Sequence, residues 1–414
     1  MHWKTIVSAA ILSLAPGLLH AQVDFRLAGR TVQFHGTVSQ GFMLSDENNY
    51  MTMRTSDGSF AMTDGAANLS SQLTDNVRVG AQVYVRNIGK IGGWRPELDW
   101  AMVDYRCKSW LGFRGGKVKT TMGLHNDTQD MDSLHTWAIL PQSIYPTDLR
   151  ASTIAHVGGD VYGDIPAKRL GTFSWTVYAG ERPQDPRGGY VLGLAAIGLK
   201  MQSYGGWQEG QDLRWATPIK GLLLGASLMN QHITGNGYLD LSTSVNPFLT
   251  DKNTPDHSLE REHSVKNDYY QYYLQYSAGP WRFEGEYRRE WRDEWVGYYT
   301  QAMQPEFNFQ AVSDARSWYG SGAYRASKWL EVGGYFSWYV ANWSEPWSDP
   351  ANHVYDKVAT ARFDLNSHLS LKVEGHWMDG HGAFDSIRGF YDQVNPGGIQ
   401  PTTHLLVVRM GYAL

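Results

Sequence analysis

The stretch Asp268–Arg292, DYYQYYLQYSAGPWRFEGEYRREWR, decides the fold class. Read with a period of two, Tyr270, Tyr272, Leu274 and Tyr276 share one face, and Tyr269, Gln271, Tyr273 and Gln275 share the other. Beyond the turn Ser277-Ala278-Gly279-Pro280, Trp281, Phe283, Gly285 and Tyr287 alternate with Arg282, Glu284, Glu286, Arg288, Glu290 and Arg292. This predicts two antiparallel strands of about eleven residues, apolar and aromatic on one side and densely charged on the other. A soluble sandwich turns the apolar side to a core, whereas a transmembrane barrel turns it to lipid and the charged side to a water-filled lumen. One hairpin is compatible with both.

The first residues give an address. Met1–Ala21, MHWKTIVSAAILSLAPGLLHA, holds one cation at Lys4, an apolar run from Ile6 to Leu19 and Ala21 before Gln22. It reads as a secretory signal peptide (1–21), leaving 22–414 as a single domain. Losing Lys4 moves the formal charge from −5 to −6, which gives no reason to expect nucleic acid as a partner. Beyond residue 21 no apolar run approaches the roughly 20 residues that a membrane helix needs. A mean hydropathy of −0.42 does not argue against a barrel, whose strands give only every second residue to lipid. The 24 Tyr, 17 Trp and 44 Gly of this chain are the residues that interfacial girdles and tight turns use. Cys107 is the only cysteine, so no intramolecular disulfide forms.

Alternation continues through the chain. Strands are predicted at 32–42, 67–74, 77–86, 98–107, 110–121, 157–164, 171–180, 208–216, 221–232, 267–277, 281–292, 313–325, 329–340, 354–365, 368–378 and 402–414. Gly189–Met201 is apolar enough to suggest a seventeenth. An even strand number, with short turns at one end and long loops at the other, assigns residues 181–207 to an external loop with local structure of its own. Other long loops are expected at 233–266, 293–312, 341–353 and 379–401. The expected fold is therefore all-β, a 16-stranded antiparallel transmembrane barrel. Tyr276, Trp281, Trp329 and Tyr412 fall at its short-turn end, and Trp291, Trp295, Trp338 and Trp343 at the other, as aromatic girdles would.

The last strand, HLLVVRMGYAL, resembles the terminal strand by which outer-membrane barrels are recognised for assembly, with Leu414 where those usually carry Phe. FHGTVSQGF, LDWAMVDYRCKSWLGFRGGKVKTTMGLHND and DLRWATPIKGLLLGASL together resemble the porin superfamily, and within it the branch of phosphate-selective and dicarboxylate-type porins. The likeness covers the mature chain. It implies a homotrimer in the outer membrane of a Gram-negative bacterium, no cofactor, and a third external loop folded into the lumen as a constriction. By position that loop is 123–157, contributing Asp127, Asp130, Asp132 and Arg150; it has no lysine, unlike the constriction of phosphate-specific members.

With the apolar face toward lipid, twelve cations face the lumen: Arg78, Arg86, Arg106, Arg114, Arg214, Arg282, Arg288, Arg292, Arg325, Arg362, Lys372 and Arg409. Eight acids oppose them: Asp104, Asp212, Glu284, Glu286, Glu290, Glu331, Asp356 and Glu374. A cationic wall in a low-dielectric barrel favours small anionic solutes. Interleaved Arg and Glu equally well pair with one another and only stiffen the wall. Arg78, Arg86, Arg106 and Arg114, on consecutive strands, are the strongest candidates for solute contact. An enzyme is not expected: Ser321 lacks the setting of a nucleophile elbow, and His376, Asp379, His381 and Asp385 match no zinc spacing. A barrel hydrolase or a plugged receptor barrel is the alternative.

Overall fold

The computed structural model describes residues 23–27, 29–184, 186–243, 258–382 and 389–414; the expected signal peptide and Asp385 lie outside them. Seventeen strands among these residues form one antiparallel sheet. They are β1 (Val23–Leu27), β2 (Arg30–Ser45), β3 (Ser59–Thr74), β4 (Val77–Ile88), β5 (Glu97–Lys108), β6 (Leu111–Lys119), β7 (Ala155–Pro166), β8 (Thr172–Arg182), β9 (Leu199–Ala216), β10 (Leu222–Leu239), β11 (Leu259–Ala278), β12 (Trp281–Tyr299), β13 (Pro305–Arg325), β14 (Leu330–Val340), β15 (His353–Asp364), β16 (Leu369–Asp379) and β17 (Thr402–Ala413). From β2 onward each strand pairs with its sequence neighbour. β17 returns to β2, from Leu405↔Ser45 to Ala413↔Thr37, so sixteen strands close into a barrel. The short β1 pairs with Arg30 to Phe34 of β2, beyond the point where β17 ends, and covers the edge that closure leaves open.

Burial is inverted relative to a soluble protein. In the β11–β12 hairpin, Leu274 lies opposite Gly285 and Tyr272 opposite Tyr287. Tyr272, Leu274 and Phe283 are exposed, whereas Gln271 and Glu286 are buried. The same holds around the barrel: Val38, Leu69, Val83, Val103, Leu213, Val332 and Leu406 are exposed, while Gln82, Gln208, Lys372 and Glu374 are at most 1 % exposed. Of the two readings open to the hairpin, the sandwich fails and the barrel stands.

The ends of the barrel differ as the alternation of connections requires. Short turns join β3 to β4, β5 to β6, β7 to β8, β9 to β10, β11 to β12, β13 to β14 and β15 to β16; the longer connections lie at the opposite, external end. Two expected external loops are shortened by strand: β10 and β11 take in 233–239 and 259–266 of the loop expected at 233–266, and β12 and β13 take in 293–299 and 305–312 of the loop expected at 293–312. β10 to β13 hold 18, 20, 19 and 21 residues. At about 3.3 Å per residue and a tilt of about 45°, they rise far above an apolar band of about 25 Å. Above lipid the outward face need not be apolar, so hydropathic alternation disappears while the hydrogen-bond ladder continues. For the same reason β3 begins at Ser59 rather than at 67. Residues 189–201 do not add a strand to the barrel: they form a helix, α1 (Gly189–Ala196), followed by the start of β9.

Candidate functional site

Residues 120–154, between β6 and β7, fold into the barrel rather than over it. The two ends of this segment are tied by Asn126, whose Nδ2 donates to the Thr120 and Thr153 carbonyls, both at 2.8 Å. Three short 3-10 turns, Asn126–Thr128, Asp132–Leu134 and Thr147–Ser152, keep its backbone compact. Gly123 adopts φ +64°, and a Cβ there would collide with Gln271 and Glu286 of the wall. Only glycine permits so close an approach in that conformation.

Backbone groups that no ladder satisfies are met by side chains of the inner wall. Glu374 accepts hydrogen bonds from the Ala138 and Ile139 amides, both at 3.0 Å. Arg409 donates to the Ala138 carbonyl at 2.8 Å, and Arg362 to the His135 carbonyl at 2.8 Å. On the opposite wall, Glu286 accepts from the Leu124 amide at 3.1 Å, the Tyr145 hydroxyl at 2.6 Å and the Tyr319 hydroxyl at 2.9 Å. Two histidines of the segment lie edge to face, 5.0 Å between ring centres. Burial opposes charge on both. For His125 the hydrogen bond and charge of Glu284 outweigh burial and raise its pKa; for His135 burial, helped by His125, pushes the pKa down to about 3.

The charges of the segment serve as anchors. Asp130 takes Lys119 at 2.7 Å, Asp132 takes Lys372 at 2.9 Å and Arg409 at 3.2 Å, and Arg150 grips Asp99 through two nitrogens at 2.8 and 3.0 Å. Asp127 contributes its backbone carbonyl, which accepts from Lys119 at 2.8 Å.

The arginines of the wall divide by accessibility. Arg86 and Arg288 point inward but are buried against the inserted segment and its neighbours; Arg86 donates to the Thr147 carbonyl at 3.2 Å. Toward the short-turn end, Arg106 pairs with Asp164 at 2.5 Å, Arg114 with Asp160 at 3.2 Å and Arg214 with Asp212 at 3.0 Å. Arg282 pairs with Glu331 at 3.1 Å, Arg325 with Glu331 at 2.6 Å, Arg362 with Asp364 at 2.8 Å and Arg409 with Asp64 at 2.9 Å. Arg78 is exposed and donates to the Ser70 hydroxyl at 3.0 Å, with no carboxylate of the described residues in ion-pair range.

The tally of twelve cations against eight acids therefore needs correction. Asp64, Asp99, Asp160, Asp164 and Asp364 also face inward and hold arginines. Asp64 lies in β3 before residue 67, where the sequence places the start of that strand, and Asp99 is turned inward by a bulge where Trp100 pairs with Gln82 but Leu98 with Val83.

At the external end, one side of the interior is sealed. Met43, Met62 and Ile88 from β2–β4, Met378 from β16, and Leu405 and Val407 from β17 point inward and pack with Tyr50, Met51, Met53, Phe390 and the segment's Ala138 and Ile139. This is an apolar core inside the barrel. Residues weighed for chemistry are engaged elsewhere. His376 lies between Asp356 at 2.8 Å and Glu374 at 3.1 Å, Ser321 donates to the Glu284 carbonyl at 3.3 Å, and Cys107 to the Leu111 carbonyl at 3.3 Å.

No protein-family model and no curated protein matches the chain. Solved structures do match. OmpT of Vibrio cholerae, folded in vitro, is 11% identical, with a TM-score of 0.55 over 94% of this chain and 99% of that one; its trimer form aligns with a TM-score of 0.50. An anion-selective porin from Comamonas acidovorans is 11% identical, with a TM-score of 0.55 over 93% and 100%. The outer membrane channel DcaP of Acinetobacter baumannii is 9% identical, with a TM-score of 0.52 over 94% and 99%. At these identities the likeness is one of fold: a closed sixteen-stranded antiparallel barrel.

Proposed function

We propose that this chain is a porin: a non-enzymatic, water-filled diffusion channel for small hydrophilic solutes, exported by its signal peptide to the outer membrane of a Gram-negative bacterium. The observation that carries this reading is the inverted burial. Leu274 is 44 % exposed on the outer wall while Gln271 beside it is fully buried on the inner one, an arrangement that is stable only with lipid outside. The channel and porin among the similar folds support it.

For selectivity, the inward acids leave the wall close to balanced, so the preference for anions is weak and is carried at the short-turn mouth, where Arg78 has no acid partner among the described residues and Arg106 is half exposed. Within the porin superfamily, a segment 123–157 without lysine favours organic anions over phosphate.

Self-association as a homotrimer is supported by an asymmetry of the outer face. The outward positions of β2–β6 hold Gly36, Val38, Gly65, Ala67, Ala81 and Ala101 and no tryptophan, whereas those of β9–β16 hold Trp215, Trp281, Trp318, Trp338 and Trp377. Small side chains suit a protein contact, and tryptophan suits a lipid interface.

The apolar seal at the external end favours a second reading, a barrel closed on its β2–β4 and β14–β17 side. The test of both is conductance in a planar bilayer under a KCl gradient. Stable steps with a reversal potential of anion-preferring sign support the channel reading. Absence of conductance from folded protein overturns it in favour of the closed barrel.

A further inference from the structure

The interior above the inserted segment is not sealed all round. Opposite the apolar core, between β8–β12 and α1, lies a cleft with a cavity volume of about 50 Å³ that opens to the outside. Its floor is the turn carrying Asp148, Leu149 and Ser152; its walls carry Arg182 of β8, Tyr190 of α1, Tyr204 of β9, and Glu290 and Glu294 of β12.

Arg182 is the unusual member. It is only 5 % exposed, yet its Nε has no hydrogen-bond partner and no carboxylate of the described residues is in ion-pair range. Its guanidinium lies over the Tyr204 ring at 5.0 Å, and Tyr204 stacks on Tyr190 at 4.5 Å between centres, inclined by 19°. A buried guanidinium is ordinarily matched by a carboxylate in a two-point hydrogen bond. Nearby, Asn267 Oδ1 is a buried acceptor with no donor among the described residues. On the facing strand the acids are occupied differently: Glu290 accepts from the Tyr269 hydroxyl at 2.9 Å and holds Arg292 at 3.4 Å.

Charge balance decides what fits. The cleft holds two arginines, Arg182 and Arg292, against Asp148, Glu290 and Glu294, so a dianion meets net repulsion while a lone cation leaves Arg182 unmatched. A solute with both signs satisfies each wall. We propose that this cleft binds zwitterionic amino acids, the carboxylate on Arg182, the ammonium toward Asn267 Oδ1 and the acids of β12, and a flat side chain along the Tyr190–Tyr204 pair. The proposal rests on the porin reading only in placing this cleft at the outer mouth of a transport path; binding itself requires no conduction.

The test is calorimetry of the full mature chain in detergent, with L-phenylalanine as probe. One site per chain is expected, weakened at least about tenfold by Arg182→Gln, by replacing the probe with phenylalaninamide, which lacks the carboxylate, and by 3-phenylpropionate, which lacks the ammonium. Arg182→Lys should recover part of the affinity, and Lys328→Gln, in the exposed β13–β14 turn at the other end of the barrel, should leave it unchanged. The heat-sensitive gel mobility of folded barrels checks that each variant is folded, and Asn267→Ser provides a second variant if Arg182→Gln does not fold. Absence of binding by wild-type protein, equal binding by folded Arg182→Gln, or equal binding of the amide overturns the proposal. Conductance without binding leaves the porin reading intact and removes this one; binding without conductance does the reverse.

Discussion

Lys372 of β16 and Asp132 of the inserted segment, 240 residues apart in sequence, form an ion pair of 2.9 Å in which the lysine is fully buried. The same ammonium donates to the Asp132 and Trp137 carbonyls at 2.7 and 3.0 Å. It thus satisfies one carboxylate and two backbone oxygens that strand ladders cannot reach.

Lys372→Met is expected to release this half of the segment. Removing one partner of a buried pair strands the other and costs about 3–5 kcal/mol. Thermal unfolding in detergent should fall, single-channel conductance should rise, and adding Asp132→Asn should restore part of the stability. Unchanged conductance with unchanged melting would show that the pair does not hold the segment.

Arg78→Gln is expected to move the reversal potential toward cation selectivity without a change in melting temperature, because Arg78 is exposed and among the described residues bonds only the Ser70 hydroxyl. Arg409→Gln should instead lower stability, since Arg409 holds Asp64 and Asp132 together. Reversal potentials and melts of both variants, measured side by side, check the contrast; the same selectivity shift in both would contradict it.

Acid should loosen the inserted segment through His135. Its pKa is pushed down from an ordinary 6.5 to about 3, so the unfolded chain binds more protons over that window and stability is lost as pH falls below 6.5. Between pH 6.5 and 5 the loss is about 2 kcal/mol. His125, raised by Glu284, contributes in the opposite sense: its stabilisation is complete below 6.5 and lost above. Unfolding of wild type and His135→Gln at pH 7.5 and 5 should show a smaller acid penalty in the variant, and parallel curves would reject the assignment.

Phe390→Ala is expected to open the sealed side. Phe390 is fully buried and meets the Tyr50 ring edge-on at 5.1 Å, so truncation leaves a cavity worth about 3–5 kcal/mol beneath the external loops. Larger and noisier conductance steps are the expected outcome. Wild-type steps from a folded variant would mean that the seal does not limit flow.

Period-two chemistry was sufficient for the wall. Alternation in Asp268–Arg292 placed Leu274 outside and Glu286 inside, short turns marked one end, and the requirement of an even count kept 189–201 from counting as a strand of its own, although β9 begins at Leu199, inside the loop expected at 181–207. These features were legible because each is local: the side a strand residue faces depends on its neighbours two positions away. Strand height was not legible above the lipid, where β10–β13 lose their apolar face while keeping their ladders.

The tertiary structure alone decided which charges meet and where the interior is open. Asp64 and Arg409 face each other only because β17 closes on β2, and Asp99 meets Arg150 only through a bulge and an inserted segment. The seal left one trace in sequence, Leu405-Leu406-Val407-Val408, apolar on both faces of a strand that needs only one for lipid. Its partners Tyr50 and Phe390 come from distant loops. Arg182 gave no signal at all, because an unmatched charge is defined by what surrounds it in space, and a sequence specifies that only through the closed fold.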